Sequence, residues 1–188
     1  MRRIVVGSIG LMLSMPTIAS TQDNRLWEMR PVVGMSVPIG AQRDLFKNAA
    51  FTGGEAALRI VPTIDLLTSV TWQAADSRYR VSTTTASVWV FDIGVEKRFR
   101  DTISPDARLI PFVGGGVGGR AYDFDSRELV SRTCYAGYGA AGLALEWKGT
   151  ALRGEARDNV FCYESPISGV PSRTGSELTL SLGLGVRF

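Results

Sequence analysis

The residues able to do chemistry are few, and each set lacks a partner. Asp92 and Glu96 are carboxylates four residues apart, a pair that could divide general acid and general base roles. Residues 114–119 hold five glycines, as a phosphate-cradling loop would, but no lysine follows and the pattern around them is not that of a helix. Ser165, Ser168 and Ser172 offer hydroxyls without a base beside them. Cys134 and Cys162 are the only thiols, and the chain has no histidine, so neither a histidine-based general base nor a histidine–thiolate metal site can be assembled. No cofactor and no metal is implied. What the sequence does carry in number is charge at regular spacing, and that spacing belongs to strands.

The clearest strand is the last, 177–188. Leu178, Leu180, Leu182, Leu184, Val186 and Phe188 alternate with polar, charged or glycine residues, the two-residue period of a strand with unlike faces. Seven more segments follow the same rule: 27–37, 55–61, 64–73, 89–99, 108–122, 134–147 and 152–157. Short turns at 62–63, 101–106 and 148–149 alternate with longer polar stretches at 40–48, 75–83, 123–132 and 164–175. This predicts an all-β fold, an eight-stranded antiparallel up-and-down barrel. On period alone the leucines could point inward, as in a soluble barrel, or outward into lipid.

Two features decide the direction. The polar face holds eight acids (Glu28, Glu55, Asp65, Asp92, Glu96, Glu146, Glu155, Glu177) and eight bases (Arg30, Arg59, Arg98, Arg108, Arg120, Arg153, Arg157, Arg187), and every base is arginine. A solvated face would use lysine freely, whereas a confined one favours the planar guanidinium that holds carboxylates bidentately. The interleaved glycines would make room for those side chains. Aromatics on the apolar face sit at strand ends: Trp89 and Phe99 are ten residues apart, Tyr135 and Trp147 twelve. Ten residues at a 40° tilt rise about 25 Å, the height of a lipid-facing band between aromatic girdles. Trp27, Phe99, Trp147 and Phe188 would form the girdle nearest the short turns. The charges therefore line a lumen, and the leucines face lipid.

The chain from Trp27 to Phe188 resembles the eight-stranded outer-membrane barrels of the OmpA and OmpX type. The resemblance implies periplasmic termini and short turns, external long loops, and a terminal strand (Leu180, Leu182, Leu184, Val186, Phe188) read by the outer-membrane barrel assembly machinery. It departs in one respect: no peptidoglycan-binding domain follows Phe188, so cell-wall anchoring is not implied. The N-terminus fits export. Met1, Arg2 and Arg3 precede an apolar run, and Thr17, Ile18 and Ala19 suit cleavage, which predicts a signal peptide over 1–20 and a single mature domain over 21–188. Removing Arg2 and Arg3 from the 21 basic residues leaves 19 against 18 acidic ones, so the charge supports no nucleic-acid binding.

With the turn at 148–149, Cys134 falls opposite Tyr163, and continuing the strand would place Asp158 in lipid. A β-bulge at Asp158 and Asn159 would repair both, turning Phe161 and Tyr163 outward and bringing Cys162 onto the face of Cys134 for a disulfide. The functional expectation is a non-enzymatic barrel in the outer membrane of a Gram-negative-type bacterium, monomeric, with a closed salt-bridged lumen and a structural or surface-interaction role. The alternative is a small porin-like pore for ions or solutes. Lipids and lipopolysaccharide are the expected partners. Arg78, Arg80, Arg127 and Arg132 could meet lipopolysaccharide phosphates or simply be solvated. No motif names a surface ligand.

Overall fold

A computed structural model describes residues 26–44, 46–76, 85–99, 101–102, 107–124, 132–163 and 173–188. The predicted leader, Arg78, Arg80, Arg127, the three loop serines and most of the three later long loops lie outside these residues. So do the side chains of Arg132 and Tyr163.

The strands are β1 (Trp27–Ile39), β2 (Ala49–Val61), β3 (Ile64–Asp76), β4 (Thr85–Arg98), a two-residue β5 (Asp101–Thr102), β6 (Ala107–Phe124), β7 (Arg132–Trp147), β8 (Thr150–Tyr163) and β9 (Arg173–Arg187). Each long strand pairs antiparallel with its neighbours in the chain. The β1–β9 and β4–β6 pairings close eight of them into a barrel, with β5 a short flap on β6. At the seam, Trp27 and Phe188 exchange both backbone hydrogen bonds, at 3.2 and 3.1 Å. The β7–β8 turn has positive φ at both central residues, 47° at Lys148 and 86° at Gly149, the tight hairpin geometry whose twist matches that of the strands.

One parity holds along each long strand, save at the last residues of β2, where the register with β3 shifts between Arg59 and Val61. Even positions face inward on β1, β4, β6 and β7, odd positions on β2, β3, β8 and β9. The inward set is polar and the outward set apolar: Glu96 and Arg120 are each 1% exposed, while Leu182 is 60% and Val117 63% exposed. This is a water-soluble core turned inside out. On the outward strand faces the charged residues with described side chains are Asp76, Lys97, Asp123 and Asp158, and all but Asp158 lie within a few residues of a strand end.

The predicted bulge does not occur. The β7–β8 ladder runs in step from Trp147–Thr150 to Ala136–Phe161, and β8–β9 likewise from Thr150–Val186 to Tyr163–Arg173. Asp158 keeps its outward position and accepts a 3.2 Å hydrogen bond from the Ser176 hydroxyl. Eight residues above Thr150 at a 40° tilt amounts to about 20 Å, near the upper limit of an apolar band, so the carboxylate needs no register change to approach water. Parity then turns Phe161 inward and leaves Cys134 buried inside and Cys162 exposed outside, with no disulfide joining them. The predicted disulfide is thereby corrected: the two side chains point through opposite faces of the sheet.

A charged lumen as the candidate functional site

All sixteen predicted lumen charges stand at inward-facing positions, and fifteen of them are joined by ion pairs that form three groups among the described residues. At the turn end eight charges run in one chain. Glu55 binds Arg30 at 3.2 Å, Arg30 binds Glu28 at 2.6 Å, and Glu28 binds Arg187 at 2.6 Å. Arg187 and Arg98 share Glu146, and Arg98 and Arg59 hold Asp65 at 3.2 and 3.3 Å. A second chain joins Glu96, Arg153, Glu155, Arg157 and Asp92, with Arg153 gripping Glu96 through both terminal nitrogens. Arg120 and Glu177 form the third group at 3.0 Å.

The links from Arg153 to Glu96 and from Arg157 to Asp92 reach from β8 to β4, past β6 and β7, and act as struts across the bore. Arg108 is the exception. It is exposed at the turn end, and its cross-strand neighbour Glu146 is already taken by Arg98 and Arg187.

Aromatic rings form a layer beneath the arginines that sequence reasoning missed. Arg153 lies 3.4 Å from the centroid of Phe112, Arg157 4.2 Å from Tyr138, and Arg120 4.2 Å from Phe161. A desolvated guanidinium over a ring gains cation–π attraction while its edge stays free for carboxylates. The glycines serve these rings rather than the arginines directly. A Cβ on Gly142 would strike Phe112, and one on Gly94 or Gly116 would strike Tyr138. The available signal was Phe112 and Tyr138 standing on the polar face of glycine-rich strands.

The loop end is closed differently. A short 3-10 helix, Gly40–Asp44, follows β1 and folds Gln42 and Phe46 into the mouth. Phe46 stacks on Tyr122 and joins an apolar cluster with Val88, Val90, Cys134 and Phe161. An exposed Lys47–Asp76 ion pair at 3.4 Å and a Lys47 backbone bond to the Asp76 carbonyl fasten the segment to β3. The sequence reading treated 40–48 as a polar loop, and Phe46 was its one sign of inward packing.

On the outer face, Leu180, Leu182, Leu184 and Phe188 are exposed and Val186 is half-buried, as the strand period requires. Trp27, Phe99, Trp147 and Phe188 stand exposed at the turn end, with Lys97 over Phe99 and Lys148 over Trp147. Trp72, Trp89 and Tyr135 lie toward the loop end, Tyr135 at 87% exposure.

No known protein family and no curated protein matches this sequence. Solved structures do match. Neisserial surface protein A superposes with a TM-score of 0.63 at 14% identity, covering 87% of this chain and 97% of that one. The outer membrane protein OprG from Pseudomonas aeruginosa gives 0.53 at 13% identity, over 87% and 96%. The outer membrane protein AlkL, solved in lipid bilayers, gives 0.52 at 17% identity, over 93% and 95%. The fold is that of an eight-stranded outer-membrane β-barrel. In an outer-membrane barrel the apolar face points out and the ion-paired face points in, the same inside–outside division that burial gives here.

Proposed function

We propose that this chain is a non-enzymatic barrel of the outer membrane of a Gram-negative-type bacterium, monomeric, with a closed lumen, serving a structural and surface-interaction role. The observation that carries the reading is the filled bore: two guanidinium–carboxylate struts and three aromatic rings cross it, and Phe46 packs into its mouth. An eight-stranded barrel leaves an interior only just wide enough for side chains, and here ion pairs and rings occupy it. A pore for ions or solutes is the weaker reading because conduction would require breaking the struts.

In this reading residues 1–20 direct export and are removed. The terminal strand presents Leu180, Leu182, Leu184, Val186 and Phe188 to the assembly machinery, and the short turns face the periplasm. The long loops face outward, where lipopolysaccharide is the first partner they meet. Purified barrel reconstituted in planar bilayers tests the closed lumen: a silent membrane is the expected result, and stable unitary current steps would transfer the assignment to a pore. Deletion of the 164–172 loop, scored by binding of cells to candidate surfaces, tests the interaction role.

A further inference from the structure

Charge on the outside of the barrel is divided along its axis. Among the described residues the outward acids, Asp76, Asp123 and Asp158, all lie toward the loop end, whereas Lys97 and Lys148 lie toward the turn end. The chain holds three lysines, and these are two of them. Each stands over a girdle ring, Lys97 at 5.5 Å from the centroid of Phe99 and Lys148 at 5.4 Å from that of Trp147. Arginines in the bore are locked to carboxylates, but both of these lysines are exposed and neither has an ion pair among the described residues. The cross-strand neighbours of Lys97 are Ile64 and Val113, which offer no charge.

The backbone under Lys148 is an independent sign. Its φ of 47° is a left-handed conformation that a β-carbon disfavours and that asparagine fills in tight hairpins of this kind. Lysine serves the turn less well than asparagine would, and what it adds is a charge beside Trp147. The surrounding sequence keeps the same sign. Apart from the ion-paired Arg98, residues 97–108 and the 148–149 turn hold Lys97, Arg100, Arg108 and Lys148 against Asp101 and Asp106, an excess of two positive charges. Headgroups are what an aromatic girdle meets at the edge of a bilayer. A zwitterionic headgroup brings its own ammonium to this positive rim, whereas an anionic one brings phosphate alone.

We propose that Lys148 beside Trp147 and Lys97 beside Phe99 form two binding points for the phosphates of anionic phospholipids, of the phosphatidylglycerol kind, in the leaflet at the turn end. Each ring packs against the glycerol and upper acyl chain while the ammonium reaches past it to the phosphate. The proposal rests on the membrane reading above and adds which lipid the turn end selects.

A barrel carrying Trp27→Phe, Trp72→Phe and Trp89→Phe keeps Trp147 as its one reporter. In phosphatidylcholine vesicles with phosphatidylglycerol as a minor component, quenching by acyl-brominated forms of each lipid gives their local ratio at the indole. At low salt phosphatidylglycerol is expected to be enriched about fivefold. The enrichment should fall toward one in high salt and in the Lys97→Gln, Lys148→Asn variant, and return with arginine at both positions. Asparagine suits the turn, so that variant is expected to fold. Equal quenching by both lipids, or enrichment that survives loss of both lysines, would overturn the site alone. No quenching by either lipid would overturn the membrane reading together with it.

Discussion

Arg153 shows what a single residue does in this interior. It grips Glu96 with two nitrogens, binds Glu155 at 2.6 Å, and sits 3.4 Å over the Phe112 ring. Lysine could satisfy only part of that geometry. Glu96→Ala removes one end of a strut and leaves the buried Arg153 guanidinium with Glu155 as its one carboxylate partner among the described residues, and it is expected to destabilise the barrel by about 3 kcal/mol in guanidinium titrations into vesicles. Adding Arg153→Met should restore part of the loss, since it removes a guanidinium that has lost the carboxylate it gripped with two nitrogens, while Glu155 keeps Arg157. The cysteines make a second expectation at this scale. In folded, detergent-solubilised protein a maleimide should label Cys162 alone, with Cys134 reacting only after denaturation, and the non-reduced mass should be that of the dithiol. Asp158→Leu, which replaces the one outward carboxylate far from a strand end among the described residues, should stabilise the membrane-inserted barrel by about 1 kcal/mol.

Strand packing turns on which glycines face inward. Gly116 lies against the β4 backbone at Ile93 and Gly94 and against Tyr138, so Gly116→Ala forces main chain as well as ring to move and is expected to cost about 2 kcal/mol or more. Gly139 faces outward, and a Cβ there meets nothing within 4 Å, so Gly139→Ala should change stability by no more than about 0.5 kcal/mol in the same titration. Both are glycines in adjoining strands, and the sequence alone does not separate them except by parity. Parity was the legible part: the alternation around Leu180 and Trp89 located the strands and both faces, and the arginine-only polar face chose the direction. The side chains within each face were harder. A bulge at Asp158 looked necessary because an outward carboxylate was equated with a carboxylate deep in lipid, whereas tilt and strand length bring it near the headgroups. The seal at Phe46 was invisible because one aromatic in a polar stretch has no periodicity to reveal where it packs.

For the molecule as a whole, the inside-out distribution is best tested through its four tryptophans, Trp27, Trp72, Trp89 and Trp147, all exposed on the apolar face. In bilayers their fluorescence should be quenched strongly by lipids brominated near the headgroup and weakly by lipids brominated at the chain ends. Equal resistance to both would mean that the indoles do not touch acyl chains. The three groups of ion pairs, the ring layer and the Phe46 seal together make the wall and its filling one cooperative unit, so loss of a strut should lower resistance to heat unfolding in SDS gels as well as equilibrium stability.

The exchange of backbone bonds between Trp27 and Phe188, together with the Glu28–Arg187 contact across a separation of 159 residues, sets the order of assembly. The first strand has no partner on one side until the last one arrives, so the cylinder stays open at one edge until then, and the most distant encounter between strands is the step that shuts it. Because the two ends finish side by side, a short linker could splice them and new ends could be cut at Lys148 and Gly149, giving a rearranged polypeptide with every neighbour preserved but a different pair of strands left to meet last.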